Sequence, residues 1–91
     1  MVTDLELLLA EGKIIEATDL LVDHLDRCCS TGAFEEIQEL LRTIALEDIP
    51  LQVLGGVYMV CCHAKKELGE DFTNLEKIVF SRVPNFKSAR T

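Results

Sequence analysis

Two histidines and four cysteines are the residues of this chain with the most specific chemistry. His24 and Cys28 are four residues apart, so on a helix they share one face and can chelate one metal ion. If the helix that carries His24 and Cys28 packs against the segment around Cys62 and His63, one of the latter two residues would complete a tetrahedral site. Adjacent cysteines such as Cys61 and Cys62, however, point about 100° apart on a helix, which is not the spacing of zinc ligands. The pattern therefore favours buried thiols beside exposed histidines, with no metal and no other cofactor.

The cysteines occur as two adjacent pairs, Cys28-Cys29 and Cys61-Cys62, rather than as the spread pattern of a disulfide framework. In a reducing compartment such thiols behave as small hydrophobic side chains. Redox chemistry needs a thiolate stabilised by positive charge, and the acidic surroundings of Cys28-Cys29 work against that. A metal or thiol sensor is therefore the most distant of the functional hypotheses.

The paired carboxylates Glu35-Glu36, Glu47-Asp48 and Glu70-Asp71 are the next candidates for chemistry. All three pairs lie where helices are expected to begin, so helix capping and the helix dipole account for them. No nucleophile stands with a base and an orienting group, and no glycine-rich phosphate loop is present. The sequence predicts a protein that is not an enzyme.

A third candidate is a set of acidic residues on the outer faces of two expected helices. Their spacing can imitate the phosphates of a nucleic acid, which would suit an inhibitor of a basic, nucleic-acid-processing protein; the simpler explanation is a solvated face that keeps a small protein soluble. The residues are Asp19, Asp23, Asp26, Glu35, Glu36 and Glu39. They form the candidate partner-binding surface.

Charge is distributed unevenly over the 91 residues and their net charge of −7. Residues 1–50 carry a net −9, residues 51–76 a net −2 and residues 77–91 a net +4. So negative a surface repels phosphate, which argues against direct binding of nucleic acid or of an anionic membrane. The longest weakly charged run, residues 49–62, has fourteen residues, against about 20 needed to span a bilayer. The chain also starts without the positive region of a secretory signal, so a cytoplasmic protein is expected.

The elements that position these residues are predicted to be five helices. Leucine, isoleucine and valine recur at steps of three and four, whereas two prolines and five glycines leave little material for a turn-rich β fold. The expected helices are a short one capped by Thr3 and Glu6 and ended by Gly12, then Lys13–Cys29, Ala33–Ala45, Pro50–Leu68 and Asp71–Val83. Residues 1–84 are expected to form one domain, and residues 85–91 a flexible basic tail.

The fourth helix is the expected centre of the fold, because it is apolar nearly all round from Leu51 to Cys62. Gly55 and Gly56 lower its helix propensity by about 1 kcal/mol each, so we expect a neighbouring backbone to approach closely there. In the second helix, Ile14, Ala17, Leu21, Leu25 and Cys28 form the inward stripe, which Ile15 widens. The predicted fold is all-α: a compact antiparallel bundle or a short array of helical hairpins.

An internal similarity relates residues 12–21 to residues 32–41, where glycine, glutamate and two leucines match after a shift of twenty positions. This resembles the start of the second helix in tetratricopeptide-like repeats, although that family has a period of about 34 residues. The stretch from Gly32 to Val83 also looks like small uncharacterised helical proteins of bacteria and phages, which implies a range of hosts rather than a function.

By elimination, the sequence predicts a non-enzymatic protein-binding or regulatory module that acts through a helical surface. The acidic inhibitor is the alternative, and the identity of the protein partner stays open. The high apolar content and the consecutive leucines Leu7, Leu8 and Leu9 also predict self-association into a homodimer.

Overall fold

The computed structural model describes residues 2–83, and for Val2 the backbone only; the predicted basic tail at 85–91 lies outside these residues. The described residues contain helices and no strand, which confirms the predicted all-α class. The helices are α1 (Val2–Ala10), α2 (Ile14–Thr31), α3 (Phe34–Thr43), α4 (Leu51–Cys61), a one-turn α5 (Lys65–Leu68) and α6 (Glu70–Arg82), with a 3-10 turn at Cys62–Ala64.

Helices α2 and α4 form the most extensive pairing of the fold. Leu21 and Leu25 from α2 and Val53 and Val57 from α4 are all buried in one aliphatic core. Helix α1 packs on α2, and α6 packs on α4. Among the described residues no polar or charged side chain is buried, so burial of apolar surface holds the fold together.

Glycines in the left-handed conformation follow the first two helices, and the sequence predicted this role for Gly12. Gly12 has φ of 76° and Gly32 has φ of 78°, a region that side chains with a Cβ rarely enter. Helix α2 nevertheless runs to Thr31 rather than to Cys29. The hydroxyls of Ser30 and Thr31 donate to the carbonyls four residues earlier, at 3.1 and 3.0 Å, so both residues fit within the last turn.

Three other expectations at helix boundaries are wrong. Helix α1 already includes Thr3, so the residue does not stand before the helix as a cap. Helix α3 ends at Thr43, because Ile44 turns to an extended conformation that brings it and Leu46 into the core. The single helix expected over residues 50–68 is interrupted at Cys62–Ala64, where the backbone tightens to three residues per turn.

The expected enclosure of α4 is only half correct. Gly56 faces α2, and a Cβ added there would stand 2.9 Å from Cγ2 of Val22, so the predicted close approach exists, although with side chains rather than backbone. Gly55 has nothing within 4 Å of a Cβ, and Leu51 and Met59 are 49% and 70% exposed. Helix α4 therefore has one packed face and one open face.

Two apolar residues of the first helices also differ from expectation. Ile15 is 65% exposed, because it lies about 100° around α2 from Ile14 and outside the arc that the neighbouring helices cover. Of the three leucines expected to support a dimer, Leu8 and Leu9 pack against the core and only Leu7 is exposed. The apolar surface of α1 is thus smaller than the sequence indicates.

Candidate functional site

The open face of α4 and the adjacent face of α6 form an apolar groove of about 340 Å³. We call it the α4–α6 groove. No charged side chain lines it. Its lining residues are Leu51, Leu54, Gly55, Tyr58, Met59, Cys62, Val79 and Val83.

The groove exists because α4 carries no charged residue and because only one of its two glycines faces a neighbouring helix. Gly56 brings α2 against the inner face, where Cγ2 atoms of Thr18 and Val22 would lie 3.2 and 2.9 Å from an added Cβ. Gly55 leaves the centre of the outer face without a side chain. Leu51 and Met59 stand one turn to either side of Gly55, so they border the gap that it leaves.

The wall of the groove is fixed by aromatic contacts. The ring of Tyr58 stacks on Phe72 with 5.7 Å between centroids and meets the edge of Phe80 at 6.4 Å. Its hydroxyl donates a hydrogen bond of 3.3 Å to Glu76 on α6. Burial, together with the nearby Cys62 and Glu76, raises the pKa of Tyr58 to about 12, so the hydroxyl stays protonated well into the alkaline range. The groove is therefore a built surface rather than a gap between loose helices.

A larger cleft of about 600 Å³ lies between the 44–48 loop and α6, and it has a different character. Charges of both signs line it, among them Glu47, Asp48 and Lys77. Its arginine, Arg42, is already held by a two-pronged interaction with Asp71, at 2.9 and 3.1 Å. Because Arg42 is already paired with Asp71, it is not free to bind an incoming ligand, and the α4–α6 groove is the stronger candidate.

The six acidic residues of the predicted partner-binding surface lie on two helices. Asp19, Asp23 and Asp26 are exposed on α2, and Glu35, Glu36 and Glu39 are exposed on α3. Two of the six have partners: Asp23 pairs with Arg27 at 3.1 Å, and Glu36 accepts a hydrogen bond from the thiol of Cys28 at 3.5 Å.

The structure brings His24 and Cys28 together, as their spacing predicts, with 3.7 Å between Nε2 and Sγ. Their third neighbour is Glu36, not Cys62 or His63. Cys62 lines the α4–α6 groove instead, and His63 is exposed. Glu36 belongs to the next helix, so its proximity to Cys28 does not follow from spacing along the chain; only the packing of α3 against α2 places it opposite Cys28.

All four cysteines are free thiols. Burial and the carboxylate of Glu36 raise the pKa of Cys28, and burial with the nearby Asp26 raises that of Cys29. Burial raises the pKa of Cys61 to about 12. These shifts favour the protonated thiol, which is a poor nucleophile, so they give no support to thiol redox chemistry at these three positions.

No protein-family model matches the chain, and comparisons with curated proteins and with solved structures give no match either. The resemblances to tetratricopeptide-like repeats and to small bacterial and phage proteins therefore stay predictions. Within residues 2–83, none of the helices combines the length and the apolar character that crossing a membrane requires.

Proposed function

We propose that this chain is a non-enzymatic protein-binding module of the cytoplasm, and that it binds an amphipathic helix of a partner protein in the α4–α6 groove. The observation that carries the proposal is the uncharged lining of the groove, with Leu51 and Met59 left open at its border. Apolar grooves of this kind receive the apolar face of a helix through side chains at i, i+3, i+4 and i+7.

The dimensions of α4 support a helical occupant. Its eleven residues extend over about 16 Å, which matches three turns of a partner helix. Gly55 allows the axis of that helix to approach closely, and an apolar side chain of the partner fits the space between Leu51 and Met59. Burying exposed apolar surface of this extent is the favourable term that drives such association.

The charge of the chain supports basic residues beside the apolar face of the partner. The net charge is −7, and Glu76 of α6, outside the lining of the groove, accepts a hydrogen bond from the lining residue Tyr58. A helix with lysine or arginine flanking its apolar stripe complements this surface, whereas a second copy of the chain brings the same negative charge. The proposed occupant is therefore an apolar helix with basic flanks.

The proposal is tested with a synthetic peptide of roughly 15 residues, in which leucines repeat with helical spacing and lysines flank them. Its control has the same composition in a scrambled order. We expect the protein to bind the amphipathic peptide at least about tenfold more tightly, a difference of about 1.4 kcal/mol. Fluorescence anisotropy of the labelled peptides measures both affinities, and equal affinity for the two peptides would contradict helix recognition.

Two matched variants locate the binding surface. Met59→Gln removes an exposed apolar side chain from the groove, and Ile15→Gln removes one of similar exposure from α2 without changing the charge. We expect Met59→Gln to weaken peptide binding about tenfold, with Ile15→Gln unchanged. Gly55→Leu places a side chain in the groove and should abolish binding while the protein stays folded. Equal losses in the Met59 and Ile15 variants would place the binding surface elsewhere.

The acidic inhibitor is the second candidate, because the acids of α2 and α3 are exposed. Its binding would depend on exposed charge and would collapse at high salt, whereas binding in the groove persists. Joint replacement of Asp19, Asp23 and Asp26 by asparagine separates the two: loss of binding in this variant, with Met59→Gln intact, favours the inhibitor.

The third candidate for the occupant of the groove is a second copy of the chain, which corresponds to the homodimer that the sequence predicts. Analytical ultracentrifugation of the full chain at high micromolar concentration distinguishes it. A dimer that dissociates on Met59→Gln would make a second copy the occupant of the groove and would overturn the partner-helix proposal.

A further inference from the structure

Three side chains with three different donor atoms meet near the turn that joins α2 to α3. Sγ of Cys28 lies 3.7 Å from Nε2 of His24 and 3.5 Å from a carboxylate oxygen of Glu36. One donor atom from each residue lies within 4.8 Å of the other two. Cys28 is buried, His24 is half-buried and Glu36 is exposed, so the group opens to solvent on one side.

From this arrangement we propose that His24, Cys28 and Glu36 bind one Zn²⁺ ion. In a tetrahedral zinc site with a Zn–S distance of about 2.3 Å and Zn–N or Zn–O distances of about 2.0 Å, neighbouring donors stand about 3.5 Å apart. The separations of Sγ from Glu36 and His24, 3.5 and 3.7 Å, agree with that value. The sulfur of Cys28 therefore already stands at the distances from the other two donors that a shared ion requires.

The chemistry of the donors selects the metal class. A thiolate, an imidazole and a carboxylate suit a borderline ion such as Zn²⁺, whereas Mg²⁺ and Ca²⁺ require sets of oxygen ligands. Three protein ligands leave a fourth position for water or for a donor from another molecule. Because Glu36 is exposed, this fourth ligand position is expected to face the solvent.

The local fold explains why the three donors converge. His24 and Cys28 are one turn apart on α2, and Gly32 then reverses the chain with a positive φ of 78°. Glu36 follows in the first turn of α3, opposite Cys28. A bound ion would join the two helices of this hairpin, so it is expected to stabilise the folded chain.

Binding of Zn²⁺ to Cys28 releases one proton. The S–H bond of Cys28 breaks, its sulfur forms the bond to Zn²⁺, and the proton passes to the buffer. His24 and Glu36 coordinate through lone pairs of a ring nitrogen and a carboxylate oxygen, respectively. Affinity is therefore expected to rise with pH around neutrality.

The test uses the full chain, purified with a chelator and kept reduced, and titrated with Zn²⁺ against a competing chromophoric chelator. We expect one equivalent to bind with a Kd below about 10 µM. Titration with Co²⁺ should produce a thiolate-to-cobalt charge-transfer band in the near ultraviolet, which reports directly on a metal–sulfur bond. Absence of Zn²⁺ binding, or a cobalt complex without that band, would overturn the proposal.

Each cluster residue has a control of the same residue type outside the cluster. Cys28→Ser and Glu36→Gln should weaken Zn²⁺ binding by about tenfold to a hundredfold or more, whereas Cys29→Ser and Glu35→Gln should not. His24→Gln should act like Cys28→Ser, with His63→Gln as its control. Circular dichroism of each apo variant verifies that it is folded. Equal losses in cluster and control variants would assign the ion to another site.

This test is independent of the proposed protein-binding function, because His24, Cys28 and Glu36 do not line the α4–α6 groove. Zinc binding by the cluster and peptide binding by the groove can succeed or fail separately.

Discussion

The two faces of α4 are made from the same kind of residues and have opposite surroundings. On the inner face, Val53 and Val57 are buried against α2, and Gly56 lets the two helices approach until methyl groups fill the space. On the outer face, Leu51 and Met59 remain exposed around the empty position of Gly55. Apolar composition alone therefore does not determine burial; the placement of neighbouring helices does. An apolar face left open on an otherwise packed helix is a candidate binding surface.

The largest expected difference between the faces comes from truncating a leucine on each side. Leu21, which is fully buried in the α2–α4 pairing, and Leu51, which is 49% exposed, form a matched pair. Leu21→Ala should lower the free energy of unfolding by about 2–5 kcal/mol, because it removes core contacts and leaves a cavity. Leu51→Ala should cost less than about 1 kcal/mol. Urea denaturation measures both values, and similar costs would mean that the outer face is covered in solution.

The adjacent glycines should respond with opposite signs. Gly55→Ala should stabilise the fold by up to about 1 kcal/mol, because alanine favours helix and the added Cβ meets open space. Gly56→Ala should destabilise it by about 1 kcal/mol, since an overpacked core costs more than the gain in propensity. The methyl group of Thr18 cannot easily move away from the added Cβ, because the hydroxyl of the same side chain donates to the carbonyl of Ile14 at 2.8 Å and fixes the rotamer.

A rescue variant verifies the cause of the Gly56 effect. Shortening Val22 to alanine in the Gly56→Ala background should recover part of the lost stability, because the closest contact of the new Cβ is Cγ2 of Val22. If Gly56→Ala stabilises the protein as much as Gly55→Ala does, the two faces of α4 are not packed differently.

The smallest expected effect concerns the thiol of the inner face at alkaline pH. Burial raises the pKa of Cys61 from an ordinary value of 9.0 to about 12. The unfolded chain ionises first, so stability is fully present below pH 9 and is lost as pH rises from 9 towards 12. At pH 9.5 the loss is about 0.8 kcal/mol. Cys61→Ala should remove this part of the pH dependence, whereas Cys62→Ala, on the groove side, should retain it.

The helices and the glycines that end them were predictable, because both depend on interactions between residues close together in the chain. Stripes at steps of three and four located α2 and α3, and the turns at Gly12 and Gly32 require a positive φ that glycine tolerates. The predicted helix boundaries were wrong where side-chain hydrogen bonds or burial in the core changed the end of a helix. The hydroxyl of Thr31 extends α2, and burial of Ile44 and Leu46 ends α3 early.

The candidate sites were less predictable, because each depends on residues from more than one helix. The α4–α6 groove combines Met59 with Val79 and Val83, and no pattern within α4 indicates which of its sides α6 leaves uncovered. Two residues of the proposed metal site were predictable from the sequence, since His24 and Cys28 are one helical turn apart. Glu36 was assigned to the acidic surface instead, because an outward position on α3 is also compatible with contact across the hairpin.

The sequence by itself determined the all-α class, the glycine turns and the segregation of negative charge to the first half of the chain. These follow from backbone sterics, helical periodicity and composition, which act over a few residues. Only the tertiary structure decided which face of α4 is open and which carboxylate meets Cys28. Those outcomes depend on how helices cross and on the register of a hairpin, and packing of the whole chain fixes both.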